Sequence, residues 1–193
     1  MTALTLAIDI DGTTSQLSPR ELLFSSIEMG EPIPVTEPIV KSVLLGLPTV
    51  PGARDVINKL NKHFTVDLVT NRPEFFHEIT AEWADRKQLQ FRNLRCVGMD
   101  CRKGELSDVD VVIDDSPHNV MSGAENADAG ILFNGRTADP DLLPDHPDVY
   151  VADAWADVPR VLNTVYPSQC LGATPNTRSV QTRSVAGHSF LSY

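Results

Sequence analysis

The 193-residue sequence predicts an α/β fold: a Rossmann-like three-layer sandwich with a mostly parallel sheet and a small helical cap insertion. Short β-branched apolar runs alternate with stretches of helical period. Acidic residues stand at the ends of two of those runs, where ligands bind in sheets of this kind. A proline-containing stretch from 14 to 50 is too long for a plain connection.

Taken in order, Leu4 to Ile10 reads as the first strand. Residues 14–50 hold Pro19, Pro32, Pro34, Pro38 and Pro48, with short helical patterns around Leu22 to Ile27 and Val40 to Leu45, and are expected to form the cap. Ala53, Val56, Ile57 and Leu60 recur at the spacing of a helix with one buried face. Phe64 to Thr70 is the next strand. Pro73 opens a helix whose apolar face is Phe75, Phe76, Ile79 and Trp83. Leu94 to Val97 is a short strand and Val109 to Asp115 a strong one. Ser116 then fits an N-cap, with Pro117 in the first turn and Val120, Met121 and Ala124 on one face. Gly130 to Phe133 and Val149 to Val151 are later strands. Asp157 is expected to cap a final helix holding Pro159, Val161, Leu162 and Val165. The expected division is a core of residues 1–13 and 51–167, the cap at 14–50, and a flexible tail at 168–193 carrying the repeated tetrapeptide TRSV.

Composition narrows the function. An apolar share of 41% supports one sizeable core, and 22% charged residues is unlike a disordered chain. The formal net charge of -10 excludes binding driven by a nucleic-acid backbone, since no surplus of Lys and Arg exists to neutralise phosphates. A small phosphorylated substrate stays compatible, because a pocket can be locally positive. Cys96, Cys101 and Cys170 form no C-x-x-C pair and read as free thiols of a reducing compartment. Met1 to Ile10 lacks a basic start and is interrupted by Asp9, so it reads as a buried strand and not an export signal. No run approaches a membrane span, and the expected location is the cytoplasm.

Four signals carry chemistry. Asp9-Ile10-Asp11-Gly12-Thr13 follows an apolar strand directly. Carboxylates at i and i+2 leave a strand on the same side, and Gly12 lets the chain turn tightly. One can attack phosphorus while the other manages a proton. Thr70-Asn71-Arg72 ends a strand and opens a helix, so a hydroxyl and free N–H groups could cradle a phosphate. Lys103, in a polar loop, can hold a phosphate oxygen and balance nearby carboxylates. Asp114-Asp115 ends another strand, and adjacent carboxylates repel unless a cation sits between them. Oxygen-only ligands suit Mg²⁺. Singly, each of these has a plainer structural reading; together they make a complete phosphoryl-transfer site.

The same residues, in this order, resemble the haloacid dehalogenase superfamily in its phosphatase branch, over about residues 4 to 165. The stretch between the first Asp motif and the Thr motif is similar to a small type-1 cap. Val50-Pro51-Gly52-Ala53 and Thr70-Asn71-Arg72-Pro73-Glu74 are similar to the 5′-nucleotidase and pyrimidine deoxyribonucleotidase branch. The resemblance implies that Asp9 forms an aspartyl-phosphate, and that Asp11 protonates the leaving alkoxide and then activates water. It implies phosphate binding by Thr70, the Asn71–Arg72 segment and Lys103. It implies Mg²⁺ held by Asp9, the Asp11 backbone carbonyl and Asp114, with Asp115 close by or acting through water. Dehalogenases of the superfamily lack a carboxylate at the Asp11 position, which favours a phosphatase.

A cap that stacks a nucleobase calls for aromatic residues, and the only one between 14 and 50 is Phe24. Phe24, Arg20 and Glu21 are its candidate contacts, and His77 and His118 follow motif residues closely. Three functions remain open. One is a phosphomonoesterase on a nucleoside monophosphate or another small phosphorylated metabolite. A second is a phosphotransferase or mutase sharing its intermediate, and a third is a non-catalytic binding domain.

Overall fold

Among the described residues six strands form one sheet; the four inner ones are apolar runs buried on both faces, and the two at its edges are partly exposed. The computed structural model describes residues 3–16, 37–133 and 145–169. The expected helix at Leu22 to Ile27, the candidate contacts Arg20, Glu21 and Phe24, Cys170, and the tail from residue 170 lie outside the described residues.

The strands are β1 (Thr5–Ile8), β2 (Thr65–Thr70), β3 (Asn93–Cys96), β4 (Val111–Asp114), β5 (Ala129–Phe133) and β6 (Val149–Ala152). The helices are α1 (Glu37–Gly46), α2 (Ala53–Leu60), α3 (His77–Arg86), α4 (Pro117–Asn126) and α5 (Val158–Val165). The sheet runs β3-β2-β1-β4-β5-β6. All five pairings are parallel. This is the doubly wound order, in which the direction of winding reverses between β1 and β4.

Side-chain alternation divides the strands between two layers. Leu6 and Ile8, Val66 and Leu68, Val111 and Ile113, and Ala129, Ile131 and Phe133 join the larger core under α2, α3 and α5. Ala7, Val69 and Val112 face the opposite side. There α4 comes very close to the sheet: a Cβ on Gly130 would lie 2.0 Å from the Val120 carbonyl oxygen, and one on Gly123 2.8 Å from Val112 Cβ. Buried Asp67 interrupts the apolar run of β2 but is neutralised by Arg92 at 3.0 Å and Arg95 at 2.7 Å, beside edge strand β3.

Within the stretch expected as a cap, the described part packs on the core. Leu44 and Leu47 belong to the large cluster. Trp83 Nε1 on α3 donates to the Leu47 carbonyl at 2.9 Å. Ser15 pairs in antiparallel fashion with Thr49, which brings the two ends of the insertion together.

Three local expectations need correction. Residues 71–73 do not open a helix; a 3₁₀ turn at Glu74–Phe76 precedes α3. That tighter turn breaks the 3.6-residue phase, so Phe75 is 78% exposed, while Trp83 is fully buried. Ser116 and Asp157 occupy N-cap positions, but neither side chain makes a capping hydrogen bond. Asp157 instead accepts from Arg160 at 2.9 Å. Among the described residues, no helix is long and apolar enough to cross a membrane.

Candidate active site

Strands β1 and β4 are neighbours, so the residues that follow them emerge side by side at the reversal point. The backbone N–H of Asp9 still donates to the Ile113 carbonyl at 2.9 Å, which fixes Asp9 beside the end of β4. After Ile10 the chain turns sharply. Thr14 and Ser15 both donate backbone N–H groups to the Ile10 carbonyl, at 2.9 and 2.7 Å. The Thr14 hydroxyl donates to the Asp9 carbonyl at 2.6 Å. Trp155 Nε1 donates to the Thr13 carbonyl at 2.9 Å, pinning the turn to the large core cluster to which Trp155 belongs.

Asp9 and Asp114 are 5% and 1% exposed, and both accept from the ammonium of Lys103, which is wholly buried. The Asp114 contact is 2.7 Å. Lys103 reaches them because its own segment sinks onto α4. It starts a 3₁₀ turn, Lys103–Glu105. Its neighbour Gly104 donates to Ser122 Oγ at 3.2 Å. A Cβ on Gly104 would lie 2.1 Å from the Ser122 carbonyl oxygen.

Asp114 is held further by the Ser116 backbone N–H at 2.8 Å and by Asn119 Nδ2 at 3.0 Å. Asn119 also donates to Asn71 Oδ1 at 3.1 Å. Asn71 in turn donates to the carbonyls of Gly98 at 2.7 Å and Cys101 at 3.1 Å. One amide chain therefore ties the ends of β2, β3 and β4 together.

Asp9, Asp114 and Asp115 each offer a carboxylate oxygen within 4.8 Å of the others. Gly12 makes room for the third: at φ +86°, its missing Cβ would fall 2.0 Å from Asp115 Oδ2. Burial drives the Asp9 carboxyl well above its ordinary range, and the charge of Asp114 adds to it. Asp115 is exposed, yet desolvation by the protein around its carboxyl and then the charge of Asp114 push it up to about 6. Burial opposes the charge on Lys103, but Asp9 and Asp114 outweigh it and hold its pKa above the usual lysine value. When all four carboxyls of Asp9, Asp11, Asp114 and Asp115 are ionised, the two cations Lys103 and Arg72 leave two negative charges over, and the raised Asp9 and Asp115 show how that surplus resists ionisation without a further cation. An oxygen-only donor set with that surplus fits a hard divalent ion such as Mg²⁺.

Thr70 ends β2 and is 1% exposed; its hydroxyl accepts from the Arg72 backbone N–H at 3.2 Å. The Arg72 guanidinium forks onto Asp11, with Nε to Oδ2 at 2.9 Å and Nη2 to Oδ1 at 2.6 Å. Its third contact is Thr80 Oγ1 at 3.0 Å. His77 Nε2 lies 3.2 Å from the Leu94 carbonyl, and His118 is exposed. Cys96 and Cys101 are both free thiols.

The sequence reading did not single out Asn119, Thr14, Gly104 or Trp155. Asn119 left one trace: a polar side chain beside Val120 in the first turn after Asp114-Asp115. The Thr14 and Trp155 contacts end on backbone carbonyls and leave no pattern along the chain.

No protein-family model matches the chain, and no curated protein matches it either. Solved structures do. A HAD-hydrolase from Bacillus subtilis, YfnB, solved bound to magnesium, is 14% identical with a TM-score of 0.55, over 84% of this chain and all of its own. A predicted phosphoglycolate phosphatase from Haemophilus somnus 129pt is 14% identical with a TM-score of 0.55, over 83% of this chain and 98% of that one. L-2-haloacid dehalogenase from Xanthobacter autotrophicus, with chloropropionic acid covalently bound, is 10% identical with a TM-score of 0.56, over 84% and 99%. The chain has the fold of haloacid dehalogenase-like hydrolases.

Proposed function

We propose that the protein is a Mg²⁺-dependent phosphomonoesterase of the haloacid dehalogenase superfamily that uses Asp9 as its nucleophile on a small phosphorylated metabolite. The observation that carries this reading is the convergence of Asp9, Asp114 and Asp115 with buried Lys103 at the reversal point of the sheet. Magnesium bound in a neighbour of the same fold supports the choice of ion.

In this reading an Asp9 carboxylate oxygen attacks phosphorus and the bond to the ester oxygen breaks. The electron pair leaves with that oxygen, which takes a proton from Asp11. Water then attacks phosphorus, its proton passes to Asp11, and the bond to Asp9 breaks, freeing phosphate. The ion would be held by Asp9, Asp114, Asp115 and the Asp11 backbone carbonyl, and would offset repulsion between carboxylate and phosphate. Lys103 adds a fixed positive charge beside the nucleophile. Thr70 and the Asn71 backbone are the proposed phosphate donors. The carboxylate at Asp11 supports ester hydrolysis over dehalogenation.

The test is phosphate release with Mg²⁺ across a panel of nucleoside monophosphates, sugar phosphates and p-nitrophenyl phosphate. Release from at least one ester, lost on chelation, is expected; release from none would favour a non-catalytic binding role. Transfer to an added alcohol in preference to water would mark a phosphotransferase.

A further inference from the structure

We infer that Arg72 is a positioning residue for Asp11, fixing the plane and direction of its carboxylate without touching substrate. The inference rests on the phosphatase reading above.

The Arg72 side chain is 4% exposed, against 19% for Asp11. Substrate can therefore reach Asp11 from the open side while the guanidinium stays behind it. The fork uses both carboxylate oxygens, so it fixes rotation as well as position. Arg72 is itself braced at three further points. Nη1 donates to Thr80 Oγ1, a fully buried group on α3. Its backbone N–H donates to Thr70 Oγ1. Its carbonyl accepts from the Gly98 backbone N–H at 3.3 Å. A group braced on all sides and covered from solvent is suited to orienting a neighbour and unsuited to gripping an incoming phosphate.

The contribution of proton transfer depends on the leaving group. Phenolate needs a proton from Asp11 far more than p-nitrophenolate does, so an error in aiming Asp11 falls mainly on phenyl phosphate.

Arg72→Lys keeps the charge but cannot fork, and Thr80→Val removes one brace. Each is measured with Mg²⁺ on phenyl phosphate and p-nitrophenyl phosphate, alone and combined with Asp11→Asn, with melting curves to check folding. The expected result for Arg72→Lys is a kcat loss of roughly 10²-fold on phenyl phosphate and less than about tenfold on p-nitrophenyl phosphate, with KM held within about twofold. In the Asp11→Asn background the same change should move kcat by less than about twofold, because its effect passes through Asp11. Thr80→Val should show the same selectivity at smaller size, and it carries the test should Arg72→Lys not fold. A raised KM with unchanged kcat would overturn the inference in favour of direct phosphate binding. Equal losses on both esters, additive with Asp11→Asn, would overturn it in favour of a purely structural role. An inert unsubstituted protein would overturn the phosphatase reading, and this role with it.

Discussion

Lys103 is the residue on which the electrostatics of the site turn. Two buried carboxylates share its ammonium, and the Lys103 side chain is itself fully buried. Removing one member of a buried ion pair typically costs about 3–5 kcal/mol, because the partner charge is stranded. Lys103→Met should therefore lower stability by about that amount in denaturant unfolding without metal. Added Mg²⁺ should recover part of the loss by supplying charge to the same carboxylates; equal losses with and without the ion would argue against a shared site. Asp115 gives a pH signature. Its pKa is raised to about 6, so protons compete with a cation for it as pH falls through that value. Mg²⁺ affinity measured by calorimetry should weaken as pH drops from 7 to 5. The metal-free protein should show the opposite trend in stability. The raised pKa contributes stability that is complete below pH 3.8 and is lost as pH rises through about 6.

Among the elements, α4 does most to assemble the site, and it does so through missing side chains. Gly130 lets it lie on β5, Gly123 on β4, and Gly104 lets the Lys103 turn sink against it. Gly130→Ala would press a methyl into the Val120 carbonyl and should destabilise by about 1–3 kcal/mol or more, read as a lowered melting temperature. A neutral effect would mean that α4 can shift freely, against this packing. None of this closeness was legible beforehand, because a glycine in sequence reads as a turn and its contacts lie elsewhere in the chain. What was legible were the elements that obey one period throughout. Val111 to Asp114 is apolar until its carboxylate, and α2 buries Ala53, Ile57 and Leu60 as its spacing requires. The segment after Thr70 was misread because Pro73 opens a 3₁₀ turn, which puts Phe75 out of phase with α3.

At the scale of the whole molecule, the doubly wound order brings the ends of β1 and β4 together although Asp9 and Asp114 lie 105 positions apart. Alternating strand and helix patterns were enough to anticipate a parallel sheet and to put both Asp motifs at strand ends. They could not show which side chains meet across it. The Arg72 fork on Asp11 spans 61 positions, and the Asn119 contact with Asn71 spans 48. Such contacts depend on three-dimensional proximity that no local period encodes. The proposed reaction requires that the carboxylate emerging from β1 performs the chemistry. The most direct measurement is the phosphate-release rate of Asp9→Asn with Mg²⁺, on whichever ester the unsubstituted protein turns over fastest. A loss of at least about 10³-fold with a cooperative melt retained is the predicted result. Turnover within a few-fold of the unsubstituted protein would contradict it.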